Sequence, residues 1–180
     1  ALTMGEALGD EGADLVANCK KAIASATLSM AKDLYNAKDF EGAAAAFVKA
    51  KEVAEGYGET EIAEEAAELV NQANALKFNT EGKAAMKAKD FPTAISCFTK
   101  VLELDPENGN AALQLGQAYY RSNQFAEAIE ALAKAQENGQ EANAVKVLSQ
   151  VYLKKAQAEV KAKDWHEDQT AQKEAMLKAR

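Results

Sequence analysis

The chain has 180 residues, of which 40 are alanine, 10 glycine and 2 proline, with 7% aromatic and 48% hydrophobic positions. That length is too short for an α/β barrel, and the composition favours helices packed through small side chains over a β-sandwich or barrel, which needs more β-branched residues and turn breakers. The 21 basic residues against 28 acidic give a net charge of −7, the opposite of the basic footprint of a duplex-binding protein, so nucleic acid is not an expected partner.

Along the chain, Leu15, Cys19, Ile23, Met30 and Leu34 place an apolar stripe on a long first helix, and the spacing predicts that this face is covered. The segment Ala31 to Phe40 follows, and it returns without gaps as Gly82 to Phe91, Gly116 to Phe125 and Ala156 to Trp165. Each copy opens on a small residue, has an apolar residue at its fifth position, and closes on an aromatic. Three of the four carry Lys-Asp before that aromatic. The pattern predicts one helix ending, a tight turn, and a second helix starting. Asp39, Asp90 and Asp164 are placed to cap the new helices, and Pro92 fits only a first turn. Ala31, Gly82, Gly116 and Ala156 would let helix backbones approach. Phe40, Phe91, Phe125 and Trp165 would plug the turns, with Phe91 largely buried beside Ala94 and Phe98.

The second helices have their own period. Ala43, Phe47 and Ala50 recur as Ala94, Phe98 and Val101, and again as Ala128, Leu132 and Ala135, a spacing that puts each set on one face. The step from Gly82 to Gly116 is 34 residues, but the step from Ala31 to Gly82 is 51. The surplus lies in Glu59 to Ala75, where Ile62, Ala66, Leu69, Ala73 and Leu76 keep a helical stripe. Long first helices are therefore expected in the first two units, each extension adding about 25 Å.

Gly82 to Pro106 followed by Gly116 to Ala135 resembles the tetratricopeptide repeat, a helix-turn-helix unit of 34 residues. The resemblance implies an all-α helical-repeat solenoid, one continuous array with units over residues 1–57, 58–108, 109–138 and a partial unit or cap over 139–180. After Trp165 the pattern departs, with Asp168 and Gln172 standing where the family has Ala and an aromatic; a polar end suits a terminal unit.

Chemistry beyond binding has little support. The one histidine, His166, lacks the second histidine of a zinc-binding helix, and the scattered glycines form no phosphate loop. No catalytic residue, metal or cofactor is expected. Cys19 and Cys97 read as buried thiols rather than a disulfide pair. The longest uncharged apolar run, Gly42 to Val48, is far short of a membrane span, and no signal peptide is expected. Bacterial cell envelope and cytoplasm are equally compatible with these features.

In the family resembled here, the first helix of each repeat lines a concave groove. That implies a protein-interaction module with a peptide groove built from Lys32, Tyr35, Asn36, Lys83, Met86, Lys87, Gln117, Tyr120, Arg121 and Lys161, with Asn79, Leu113, Leu153, Gln157 and Val160 beside them. Lys87, Arg121 and Lys161 form a basic row with an apolar row of Tyr35, Met86, Tyr120 and Val160 behind it, which suits an extended or helical acidic peptide. The family's chaperone-tail clamp calls for a Lys/Asn constellation, from which Leu113 and Gln117 depart. The alternative is a homo-oligomer, a homodimer first of all, built through the long apolar helix extensions.

Overall fold

A computed structural model of the chain describes residues 10–178, without the side chains of Asp10, Glu11, residues 164–168 and residues 170–178. The described residues are helical nearly throughout and contain no strand. Two compact units divide the chain, Ala1–Glu81 with Glu103–Asp105 and Gly82–Leu102 with Pro106–Arg180.

The first unit holds α1 (Asp10–Asn36), α2 (Phe40–Tyr57) and most of α3 (Thr60–Ala88). At 27 and 29 residues, α1 and α3 are the long first helices that the repeat spacing predicts. Leu28 and Ala31 of α1, Phe47 and Ala50 of α2, and Ala66 and Ala73 of α3 form one core, with Ile62 and Leu69 packed against it. The α3 stripe therefore faces inward. The α1 stripe does not: Leu15, Ile23, Met30 and Leu34 are exposed, while Val16, Ala24, Leu28 and Ala31 are buried. Alanine lets α1 approach its neighbours closely, so Ala24 and Ala31, with Val16 and Leu28, mark its covered face instead of the apolar stripe. Cys19 is correspondingly half-buried, and Cys97 is buried.

The second unit contains the end of α3 from Gly82, then α4 (Phe91–Leu104), α5 (Gly109–Arg121), α6 (Phe125–Ala135) and α7 (Glu141–Lys178). Phe98, Ala94 and Ala85 meet Leu115 and Ala118 in one cluster, and Leu132, Ala128 and Ala112 meet Ala144 and Val151 in the next. Between α6 and α7 the backbone leaves helical geometry at Asn138 and at Gly139, where φ is 82°.

Three turns share one construction. Lys38, Lys89 and Asn123 adopt left-handed φ values of 64°, 61° and 64°. At each, the residue's own amide and the next one reach back to the helix: Lys38 N donates to Tyr35 O, Lys89 N to Met86 O and Asn123 N to Tyr120 O, while Asp39 N donates to Leu34 O, Asp90 N to Ala85 O and Gln124 N to Tyr119 O, closing the helix end as a Schellman motif. Asp39 Oδ1 then accepts from Gly42 N at 2.9 Å and Asp90 Oδ1 from Thr93 N at 3.2 Å, as N-caps do. Phe40, Phe91 and Phe125 are only half-buried. The deep plug sits seven residues later, where Phe47, Phe98 and Leu132 are fully buried.

The fourth turn is absent. α7 runs 38 residues without interruption through Asp164 and Trp165, so Asp164 caps no helix and Ala156 is exposed instead of sitting at a helix contact. The side chains of Asp164, Trp165 and His166 lie outside the described residues. Seven residues beyond Trp165 stands Gln172, in the place of Phe47, Phe98 and Leu132. A second helix there would have no plug to bury, and an alanine- and lysine-rich segment then continues as helix.

Candidate functional site

In the second unit, the ends of α3 and α5 form a cavity of about 440 Å³ lined by Lys83, Met86, Lys87, Lys89, Gln114, Gln117 and Arg121. Lys83, Met86 and Lys87 share one face because they are three and four residues apart on α3, as Gln117 and Arg121 are on α5. The following turn adds Lys89, whose left-handed backbone directs it away from the helix line. Gln117 and Arg121 also line a second cavity of about 400 Å³ with Leu113, Tyr120, Asn143, Lys146, Val147 and Gln150, so the two adjoin at α5.

Four cations line the first cavity and no carboxylate does. Among the described residues, no acidic side chain pairs with Lys83, Lys87, Lys89 or Arg121. Lys87 and Arg121 lie in the last turns of α3 and α5, whereas α1, α2 and α4 have no basic residue there. Lys32, Lys51 and Lys77, by contrast, are paired with carboxylates. Lys77 lies 2.7 Å from Glu41, and that hydrogen bond holds the lysine pKa above its ordinary value.

The residues that the repeat pattern assigns to a groove fall into three groups. Lys83, Met86, Lys87, Gln117 and Arg121 come together in the first cavity, and Tyr120 stands in the second beside Gln117 and Arg121. Lys161 lies farther along α7, in a shallow depression with Leu153, Ala156, Gln157 and Val160. Lys32, Tyr35 and Asn36 belong to the first unit. There Lys32 is 2.6 Å from Glu65, and the Tyr35 ring packs edge-on to Phe40 at 5.7 Å and near Phe47 at 6.1 Å. Asn36 is exposed at the end of α1.

Lys89, Gln114, Asn143, Lys146 and Gln150 line the cavities without having been singled out by the repeat pattern. A strict 34-residue step from Gly116 reaches Gln150, not Ala156, and this register carries the signal for the α7 residues. Lys154 is a further one: its Nζ lies 5.1 Å from the Tyr120 ring centroid and 5.9 Å from that of Phe125, within cation–π reach.

Residues 85–151 match the family model described as tetratricopeptide repeat. The chain is 42% identical over 72 residues to the Hsp70-Hsp90 organizing protein of Triticum aestivum, covering 40% of this chain and 12% of that protein. It is 35% identical over 88 residues to Hsp70-Hsp90 organizing protein 3 of Arabidopsis thaliana, covering 48% of this chain and 16% of that one. The chain thus spans less than a fifth of these curated relatives. Among solved structures, it resembles the C-terminal TPR-containing domain of a Plasmodium falciparum FK506-binding protein with a TM-score of 0.50 and 21% identity, over 78% of this chain and 93% of that one; at that identity the likeness shows the fold. Family model, relatives and helical architecture agree: residues 85–151 match the tetratricopeptide repeat, and the chain has the fold of a helical-repeat protein.

Proposed function

We propose that the chain is a non-catalytic protein-interaction module that holds an extended or helical acidic peptide across α3, α5 and α7 of the second unit. The observation that carries this reading is the cavity with four cations and no acid on its walls. Cations close together repel one another, and an acidic ligand relieves that repulsion. Met86 beside them, and Leu113, Tyr120 and Val147 in the adjoining cavity, supply apolar contact for side chains between the ligand's acids. Relatives named as organizers of two other proteins are in keeping with a module whose work is to hold protein chains.

Fluorescence anisotropy with a labelled Asp/Glu-rich peptide tests the proposal, with a Lys-rich peptide of equal length as control. The acidic probe binds, its affinity falls as salt rises, and Lys87→Glu with Arg121→Glu abolishes binding without changing the circular-dichroism spectrum. Equal binding by the double variant would reduce the basic row to solvated helix ends interacting with the helix dipole.

A further inference from the structure

The outward face of α7 is open. Val145, Tyr152, Leu153 and Val160 are 47%, 53%, 62% and 59% exposed, and at 100° per residue they fall with Ala156 on one side of the helix. In the sequence motif, though not in the folded register, Leu153 and Ala156 hold the places of Leu28 and Ala31 in α1 and of Leu113 and Gly116 in α5. Those four are buried, Ala31 in the core formed with α2 and Gly116 against Leu132 of α6. The α7 face thus has the composition of a surface made to receive a helix, and among the described residues no helix covers it. The chain's own continuation is a poor occupant, since Gln172 stands where the other second helices carry their buried plug.

We propose that the occupant is α7 of a second copy of this chain, packed antiparallel about a two-fold axis at Ala156. The stripe is self-complementary about that point. Tyr152 and Val160 lie four residues to either side of Ala156, so reversal of the second helix sets each Tyr152 against the partner copy's Val160. The small alanine at the centre lets the two backbones approach. An isologous contact requires this self-matching of one patch.

Charge follows the same symmetry. Antiparallel helices bring like flanks together, so Lys155 of each copy meets Glu159 of the other, and the pair forms twice. Within one chain, among the described residues, neither Lys155 nor Glu159 has an ion-pair partner, although they stand four apart on the same helix. The interface uses no residue of the cation-lined cavity and is independent of peptide binding there.

Light scattering coupled to size exclusion tests the pairing. The natural chain elutes with twice its 19.2 kDa mass, and Ala156→Arg elutes at the single-chain mass with unchanged helicity. Glu159→Lys sets two cations against each other at both ends and weakens the dimer about tenfold by loss of two ion pairs. Adding Lys155→Glu to it restores the dimer, because the reversed charges again meet reciprocally. Lys87→Glu with Arg121→Glu leaves the mass unchanged. A natural chain of single-chain mass at high micromolar concentration overturns the proposal. So does a dimer that survives Ala156→Arg, which would point to the exposed α1 stripe, or a charge reversal that the second substitution does not rescue.

Discussion

Gly116 and Leu132 meet where α5 crosses α6: a Cβ built on Gly116 would stand 2.6 Å from Leu132 Cγ and 3.3 Å from the Ala128 carbonyl oxygen. Glycine is required there by approach, not by backbone conformation, since no positive φ is involved. Gly116→Ala must displace Leu132 or separate the helices, at a cost of about 1–3 kcal/mol. Gly56, near the end of α2, has nothing within 4 Å of the same position, so Gly56→Ala gains about 0.5–1 kcal/mol from the unfolded state. Urea denaturation of the two variants should move in opposite directions.

Phe91 and Phe98 separate the two aromatic roles within one repeat. Phe98 has no exposed surface, and Phe98→Ala should lose about 3–5 kcal/mol, as for a fully buried aromatic. Half-buried Phe91 should lose about half as much when truncated, because only the covered part of its surface returns to water. Equal shifts in denaturation midpoint would show that the turn aromatic carries the core after all.

Lys38 holds a left-handed backbone that disfavours any side chain with a Cβ. Lys38→Gly relieves that strain and should stabilise the first unit by about 0.5–1 kcal/mol after the entropy lost from the unfolded chain. Asp39→Ala removes the bond to Gly42 N and should cost about 1 kcal/mol. Thermal melts of the two variants should bracket the natural chain.

Asp90 accepts hydrogen bonds from the Thr93 side chain and then its backbone, and these hold its carboxyl below the usual carboxylate range. A lowered folded-state pKa means that the ionised form stabilises the fold above the ordinary carboxylate pKa. That contribution is lost as pH falls through the depressed value. NMR titration should find Asp90 ionising at lower pH than an exposed aspartate, and Thr93→Ala should raise its midpoint.

Much of the fold was written in local sequence. A small residue, an apolar residue and a closing aromatic at fixed spacing mark the helix ends in three of the four copies, and Asp39 and Asp90 cap because their carboxylates reach the free amides of the next helix's first turn. The long α1 and α3 follow from stretches free of glycine and proline. The neighbourhood of Lys83, Lys87 and Arg121 was legible because four-residue spacing sets one helical face whatever lies around it, whereas Lys161, read into the same basic row, lies apart on α7.

Tertiary packing decided what local spacing leaves open. Which face of α1 is covered depends on how closely alanine lets α2 and α3 approach, so Ala24 and Ala31 went inside and Met30 outside. Tyr35 carries the same motif position as Tyr120, yet it packs on Phe40 and Phe47. Lys32 looks like a groove cation until Glu65, 33 residues away, neutralises it. The turn expected at Asp164 needs a buried plug on the helix that follows, and the identical Lys-Asp pair cannot supply one. Capping and helix periodicity act over a few residues and are read from the chain directly; burial and charge pairing depend on residues far apart in sequence, and only the folded chain brings them together.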